Sequence, residues 1–203
     1  MMQEADRFFW VGNHPGLDLV NTDAADVRGD PVELVPDWRA LVDWARAAGL
    51  IDDELAAQCR VTGEGRARNG LAWFRRLRSA LRAVLDSGDE PDAASGLAAA
   101  VAEVPVQLTY RVDGNAIPLD TTGPFDRLRL ALATAALGAT RLDRPRVRRC
   151  GSPRCVLLYY DTTKNRSRRW CDMAVCGNRA KASAHYHRTK RSPVQGASHR
   201  QAS

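Results

Sequence analysis

The chain predicts a mainly α fold with a small β element, divided into a helical N-terminal body and a compact C-terminal module. Three observations carry this. Apolar residues recur at spacings of three and four along most of the first 140 residues. Charge changes sign near residue 140: before it 14 Lys and Arg stand against 21 Asp and Glu, after it 16 against 3, so a net +6 hides −7 and +13. Four of the five cysteines form two equal C-x4-C pairs inside the basic part. A length of 203 residues accommodates one domain of ordinary size with its own core and one small module. The expected boundaries are a body over 1–140, a module over 141–190 and a tail over 191–203 too poor in apolar residues to order itself.

Taken in order, FFWVGNHPGLDLVNT opens with an aromatic run suited to a short strand, after which Asn13, Pro15 and Gly16 turn the chain into a brief apolar segment. PDWRALVDWARAAG predicts a helix. Trp38, Leu41, Val42 and Ala45 form its apolar face, Asp37 can cap its start and Gly49 can end it. DDELAAQC predicts a short helix, in which Cys59 reads as a small core residue. TGEGRARNG reads as a linker: Gly63, Gly65 and Gly70 lack the preceding strand and the Lys-Ser/Thr ending of a phosphate loop. GLAWFRRLRSALRAVLDSG is the strongest helical pattern, with a stripe of Leu71, Phe74, Leu77, Leu81, Val84 and Leu85. A helix over DAASGLAAAVAEV, a hairpin turning at Asp113, Gly114 and Asn115, and a long helix over FDRLRLALATAALGATR complete the body.

Cys150 and Cys155, then Cys171 and Cys176, offer four thiolates on two short loops. Four sulfurs close a tetrahedral zinc shell and leave no open position, which suits one structural ion per chain rather than a catalytic one. Free buried thiols or redox pairs are the alternatives. His185 and His187 are competing ligands, but the shell is already complete without them, and His14 has no evident partner. VLLYYD is strand-like, TTKNRS turns the chain, Trp170 is placed to cover the site, Gly177 allows close backbone approach and Asn178 can cap a following basic helix. The concentrated positive charge is the footprint of a polyanion-binding module, against the alternative of a solvated basic tail. Arg168, Arg169, Arg179, Lys181, Arg188 and Lys190 are the candidate nucleic-acid contacts.

The run Cys176-Gly177-Asn178-Arg179, the Tyr160-Asp161 step and the Arg168-Arg169-Trp170-Cys171 step resemble the bacterial CGNR zinc-finger proteins. GLDLVNT and RRLRSALRAVL resemble the ABATE-type domain that precedes the finger in that family. The resemblance implies zinc, DNA binding and a role in stress-induced transcription regulation. With it, the expected module is a treble-clef-like zinc finger of knuckle, hairpin and helix. In the body, Asp18, Asn21, Arg78 and Arg82 are candidates for a ligand pocket, and a small-molecule effector or a homodimer is the expected business of that domain. No nucleophile, base and orienting group occur together, so no enzymatic activity is expected. The alternative function is a zinc-stabilised RNA-binding or protein-interaction adaptor. The N-terminus has no secretory pattern and no run of 18 apolar residues occurs, so the expected location is cytoplasmic, away from membranes.

Overall fold

A computed structural model describes residues 7–26, 28–87, 90–108, 119–120 and 123–191. The first departure from expectation is at the N-terminus, where the aromatic run forms no strand. It packs by its rings instead: Phe8 is buried, and Trp10 stacks on the fully buried Trp44 at a centroid distance of 6.1 Å. The brief apolar segment that follows is a helix, α1 (Pro15–Val20), whose Gly16 N–H is accepted by the ring of the capping His14. Asn13 enters that cap with φ 57°, a left-handed conformation that Asn tolerates better than most residues.

A short hairpin of β1 (Asp23–Ala25) and β2 (Pro31–Glu33) comes next, then α2 (Trp38–Ala47) and α3 (Asp53–Arg60). Both helices lie where the sequence predicts them, and α2 begins at its expected cap. Asp37 accepts from Ala40 N–H at 2.8 Å and Asp52 from Leu55 N–H at 2.8 Å, each satisfying one orphan donor. Gly49, at φ +70°, ends α2 in the left-handed region. Cys59 is buried, its thiol faces the Pro124 carbonyl at 3.3 Å, and burial pushes its pKa up to about 11; it is an inert core residue.

The expected linker is helix. α4 (Glu64–Ser87) starts at Glu64 and runs 24 residues, taking Gly65 and Gly70 into its first turns. The reason lies across the core. A Cβ on Gly70 would stand 2.5 Å from a ring carbon of Trp38 and 2.7 Å from one of Phe125, so this glycine lets two stacked aromatic rings press against the helix. Trp73, Phe74, Leu77, Leu81 and Leu85 of α4 are buried between α2, α5 (Pro91–Ala102) and α6 (Pro124–Thr140). Each fully buried aliphatic or aromatic side chain contributes about 1.5–3 kcal/mol, which makes this the central element of the core. α6 also packs tightly on α1, where a Cβ on Gly16 would lie 2.3 Å from the Ala135 carbonyl oxygen.

Between α5 and α6, β3 (Gln107–Leu108) and β4 (Leu119–Asp120) pair antiparallel; the turn expected at Asp113, Gly114 and Asn115 lies outside the described residues. After α6, β5 (Val147–Arg149) and β6 (Leu158–Tyr160) form a third antiparallel pair, a small hairpin in the C-terminal part, and α7 (Asn178–Arg191) ends the described chain. The remainder of the tail expected to lack order, 192–203, is outside the described residues. Among the described residues no helix is long and apolar enough to cross a membrane.

Candidate metal centre and basic helix

The β5–β6 hairpin carries the first thiol pair. Its register sets Arg149 opposite Leu158, and Cys150 N–H donates to the Leu157 carbonyl at 2.9 Å, so the C-x4-C loop closes directly above the strands. Cys155 N–H to Ser152 O at 3.0 Å tightens that loop. Gly151 N–H then donates to Arg169 O at 2.8 Å and draws in the irregular segment that bears Cys171. A Cβ on Gly151 would stand 3.0 Å from that same oxygen. The second pair spans a wide, π-type helical turn over Met173–Gly177. Asp172 caps it through Val175 N–H at 2.8 Å, and Cys176 N–H returns to Asp172 O. The cap of the final helical run is therefore Asp172. Asn178, expected in that role, is already helical at φ −67°.

These loops bring the sulfurs of Cys150, Cys155, Cys171 and Cys176 within 4.8 Å of one another. Cys155 and Cys176 each lie 3.6 Å from Cys171. A zinc ion with Zn–S bonds of about 2.3 Å spaces its sulfurs about 3.8 Å apart, so the donor set and its dimensions fit one tetrahedral ion. The acid–base chemistry agrees. A hydrogen bond from Cys171 drops the Cys155 thiol to about 5, while the same bond, then burial, pushes Cys171 far up, and burial pushes Cys176 up to about 11. By themselves Cys155, Cys171 and Cys176 do not all ionise; a divalent cation would supply the charge that lets them do so. Cys171 N–H donates to Cys150 Sγ at 3.3 Å, a further stabilisation of negative sulfur. His185 stands exposed on α7 and is not part of the cluster.

Trp170 covers the site as expected, lying within 3.2 Å of where a Gly177 Cβ would be and 3.3 Å of where a Gly151 Cβ would be. Gly177 is small for Trp170 and for Met173, whose sulfur would be 2.3 Å from that Cβ. Arg168, a candidate nucleic-acid contact, is otherwise engaged. Its guanidinium lies 4.3 Å over the Tyr159 ring and donates to the carbonyls of Trp170, Val11 and the ligand Cys171. It ties the second thiol loop to the N-terminal segment.

The four residues expected to line a ligand pocket are placed in comparable structural duties. Asn21, almost fully buried, clasps the Leu158 peptide: its amide donates to Leu158 O at 2.8 Å and its oxygen accepts from Leu158 N–H at 2.8 Å. Arg82 donates to Val156 O at 3.2 Å and Val20 O at 3.3 Å. Arg78 forms a forked pair with Glu33 at 2.8 and 2.6 Å and reaches Thr22 Oγ1 at 3.0 Å. Asp18 accepts from Gly12 N–H at 2.7 Å, and the Gly12 carbonyl in turn takes Tyr160 N–H at 2.8 Å. Asn21 and Arg82 thus act as braces between body and finger. Polar residues in an apolar run indicate buried hydrogen bonds, but a partner 137 positions away is not legible in sequence.

Burial pushes the Asp18 carboxyl up to about 6, against the opposing pull of the Gly12, Val11 and Asn21 donors and the Arg168 charge. Its ordinary value is 3.8, so the folded chain binds this proton more tightly than the unfolded one. The contribution is present in full below about pH 4 and is lost as pH rises through about 6, an effect of up to about 3 kcal/mol. Asp18→Asn, which keeps an acceptor for Gly12, is expected to raise the urea midpoint at neutral pH and to flatten the profile across that window. Parallel profiles for the two proteins would show that the carboxyl does not titrate as its burial requires.

Beyond Cys176 the chain continues as α7, with Arg179 half-buried at its base and nearly every later described side chain exposed. Lys181, Arg188 and Lys190 project from it, and residues 178–191 contain no acid. Lys190 lies 4.8 Å over the Tyr186 ring, and the exposed Arg169 lies 5.4 Å over Trp170. A groove of about 410 Å³ runs past Ser167 to Met173, and another of about 610 Å³ separates the first thiol loop from α7, with Arg154, Trp170 and Ser183 on its walls. Arg154 is exposed, without an ion pair among the described residues, and was missed in the sequence. Its place inside the C-x4-C loop, beside a ligand that orients it, was the available signal.

Comparison with protein families agrees with both halves. The model for ABATE, described as "Putative stress-induced transcription regulator", matches residues 13–144, and that for the CGNR zinc finger matches residues 146–189. No curated protein matches the chain.

Proposed function

This chain belongs to the ABATE family and ends in a CGNR zinc finger, and on that premise we propose that it regulates transcription by gripping duplex DNA with α7 and the first thiol loop. The observation that carries the reading is α7 itself. A helix with no buried apolar face and no acid has little to gain from the rest of this chain, whereas clustered cations gain by releasing counterions from a polyanion. Cys150, Cys155, Cys171 and Cys176 would hold the zinc, which supplies rigid cross-linking and no reaction chemistry. That rigidity orients the start of α7. Arg169, Arg179, Lys181, Arg188 and Lys190 are the proposed contacts, joined by Arg154, while Arg168 braces the loop. The acidic body, at −7, keeps DNA to the finger end. The body serves as a sensor, the protein works in the cytoplasm, and it has no enzymatic activity.

Binding of the zinc-loaded chain to genomic duplex fragments tests this. With about five phosphates neutralised, the logarithm of the binding constant should fall against the logarithm of salt with a slope near −4 to −5. Lys181→Ala and Arg188→Ala should weaken all sequences alike and flatten the slope by about one each if they meet phosphate. Loss of a base contact should instead relax preference at one position and cost about 1–3 kcal/mol. A chain that keeps its metal yet binds no duplex in a salt-sensitive way would overturn the reading in favour of an adaptor.

A further inference from the structure

We propose that a second site lies in the body, a cavity of about 440 Å³ between α4, the end of α5 and α6, and that it binds a small oxyanion, a carboxylate or a phosphate. The volume is that of a metabolite site. α4 turns Arg66, Asn69, Trp73 and Arg76 to one side, because residues three and four apart share a helix face, and α6 adds Phe125 and Arg129.

Two buried rings hold the guanidinium planes in place. Arg129 lies 4.6 Å over Trp73, and Arg66 lies 4.5 Å over Phe125. Stacking covers the faces of these groups and leaves their edges, where the N–H donors are, to meet an acceptor. The negative charge within the protein is too little. Asp126 is shared by Arg66 at 3.2 Å and Arg129 at 3.2 Å, the Glu103 carboxylate takes Arg76 at 2.8 Å and stands 3.9 Å from Arg129, and the Glu103 carbonyl accepts from Arg129 at 2.9 Å, so three cations face two carboxylates and one carbonyl. Arg129 Nε is buried with no acceptor, and the exposed Asn69 amide has no hydrogen-bond partner among the described residues. One uncompensated positive charge with spare planar donors recognises an oxyanion rather than a cation or an apolar molecule.

The same helix carries Arg82, which holds the Val156 carbonyl in the finger. A ligand that draws Arg66 and Arg76 inward therefore acts on the element that braces the DNA-binding part. This regulatory consequence rests on the sensor role proposed above; the binding site does not.

Calorimetric titration of the zinc-loaded full chain with citrate and with inorganic phosphate tests the site without DNA, so failure here and failure of the DNA reading are separable. One of the two anions should bind saturably at one equivalent and raise Tm by mass action. A preference for citrate assigns a carboxylate ligand, one for phosphate a phosphate ligand. The double variant Arg66→Gln/Arg76→Gln alters two mainly exposed side chains and should weaken binding at least about tenfold; Asn69→Asp, on the surface, should do the same through charge repulsion. Lys181→Gln/Arg188→Gln in α7 should leave it unchanged. Absence of saturable binding by both anions would overturn the proposal, as would binding that survives the α4 variants and disappears in the α7 variant.

Discussion

Cys171→Ser is expected to release the zinc and to remove the fixed structure of the finger, the largest effect of any single substitution in this chain. Cys171 is the centre of the cluster, with sulfurs on either side at 3.6 Å and its own N–H on the sulfur of Cys150. Structural zinc contributes about 10–16 kcal/mol in finger peptides, comparable with or above the total stability of an ordinary domain at about 5–15 kcal/mol. Regular structure in residues 150–177 amounts to one three-residue strand and one wide turn, so the two thiol loops depend on the metal to stay together. The damage should also reach the body. Leu158 belongs to the same apolar core as Leu17, Trp44 and Phe74, so a finger that lets go of β6 opens that core. Metal analysis should fall from one equivalent per chain to none, and the urea midpoint of the remaining helices should drop. Retention of a full equivalent with an unchanged midpoint would exclude the four-sulfur site.

Asn21→Ala should be the most damaging change away from the metal, at about 2–6 kcal/mol. One amide satisfies both polar groups of the Leu158 peptide, and both bonds are buried. Alanine leaves a buried N–H and a buried C=O without partners, each costing about 1–3 kcal/mol. Most point substitutions cost less than about 3 kcal/mol, so the result distinguishes a brace from ordinary surface polarity. Denaturant titration measures the cost, and hydrogen exchange at the Leu158 amide reports whether the strand has detached. A loss below about 0.5 kcal/mol would show that β6 is held by its apolar contacts alone.

What the residues determined by themselves was local or chemical. The cap Asp37, the apolar stripe of α4 and the four paired cysteines act over a few positions, and the physics of a helix turn or a short thiol loop is the same wherever it sits. The separation of charge between body and finger was likewise open to counting. Tertiary structure decided the roles that depend on a distant partner. Gly70 lies inside α4 and marks not a linker but the place where Trp38 and Phe125 need the space a Cβ would fill. Arg168 is held by carbonyls and a tyrosine ring, although its sequence neighbours are those of a surface cation. Asn21 and Arg82 join the body to the finger because a buried polar group must find a partner, and only the folded chain brings Leu158 and Val156 to them. The arginines on α4 and α6 meet around one cavity for the same reason: the turn-by-turn spacing sets which way each points, and the packing of the helices sets what it faces.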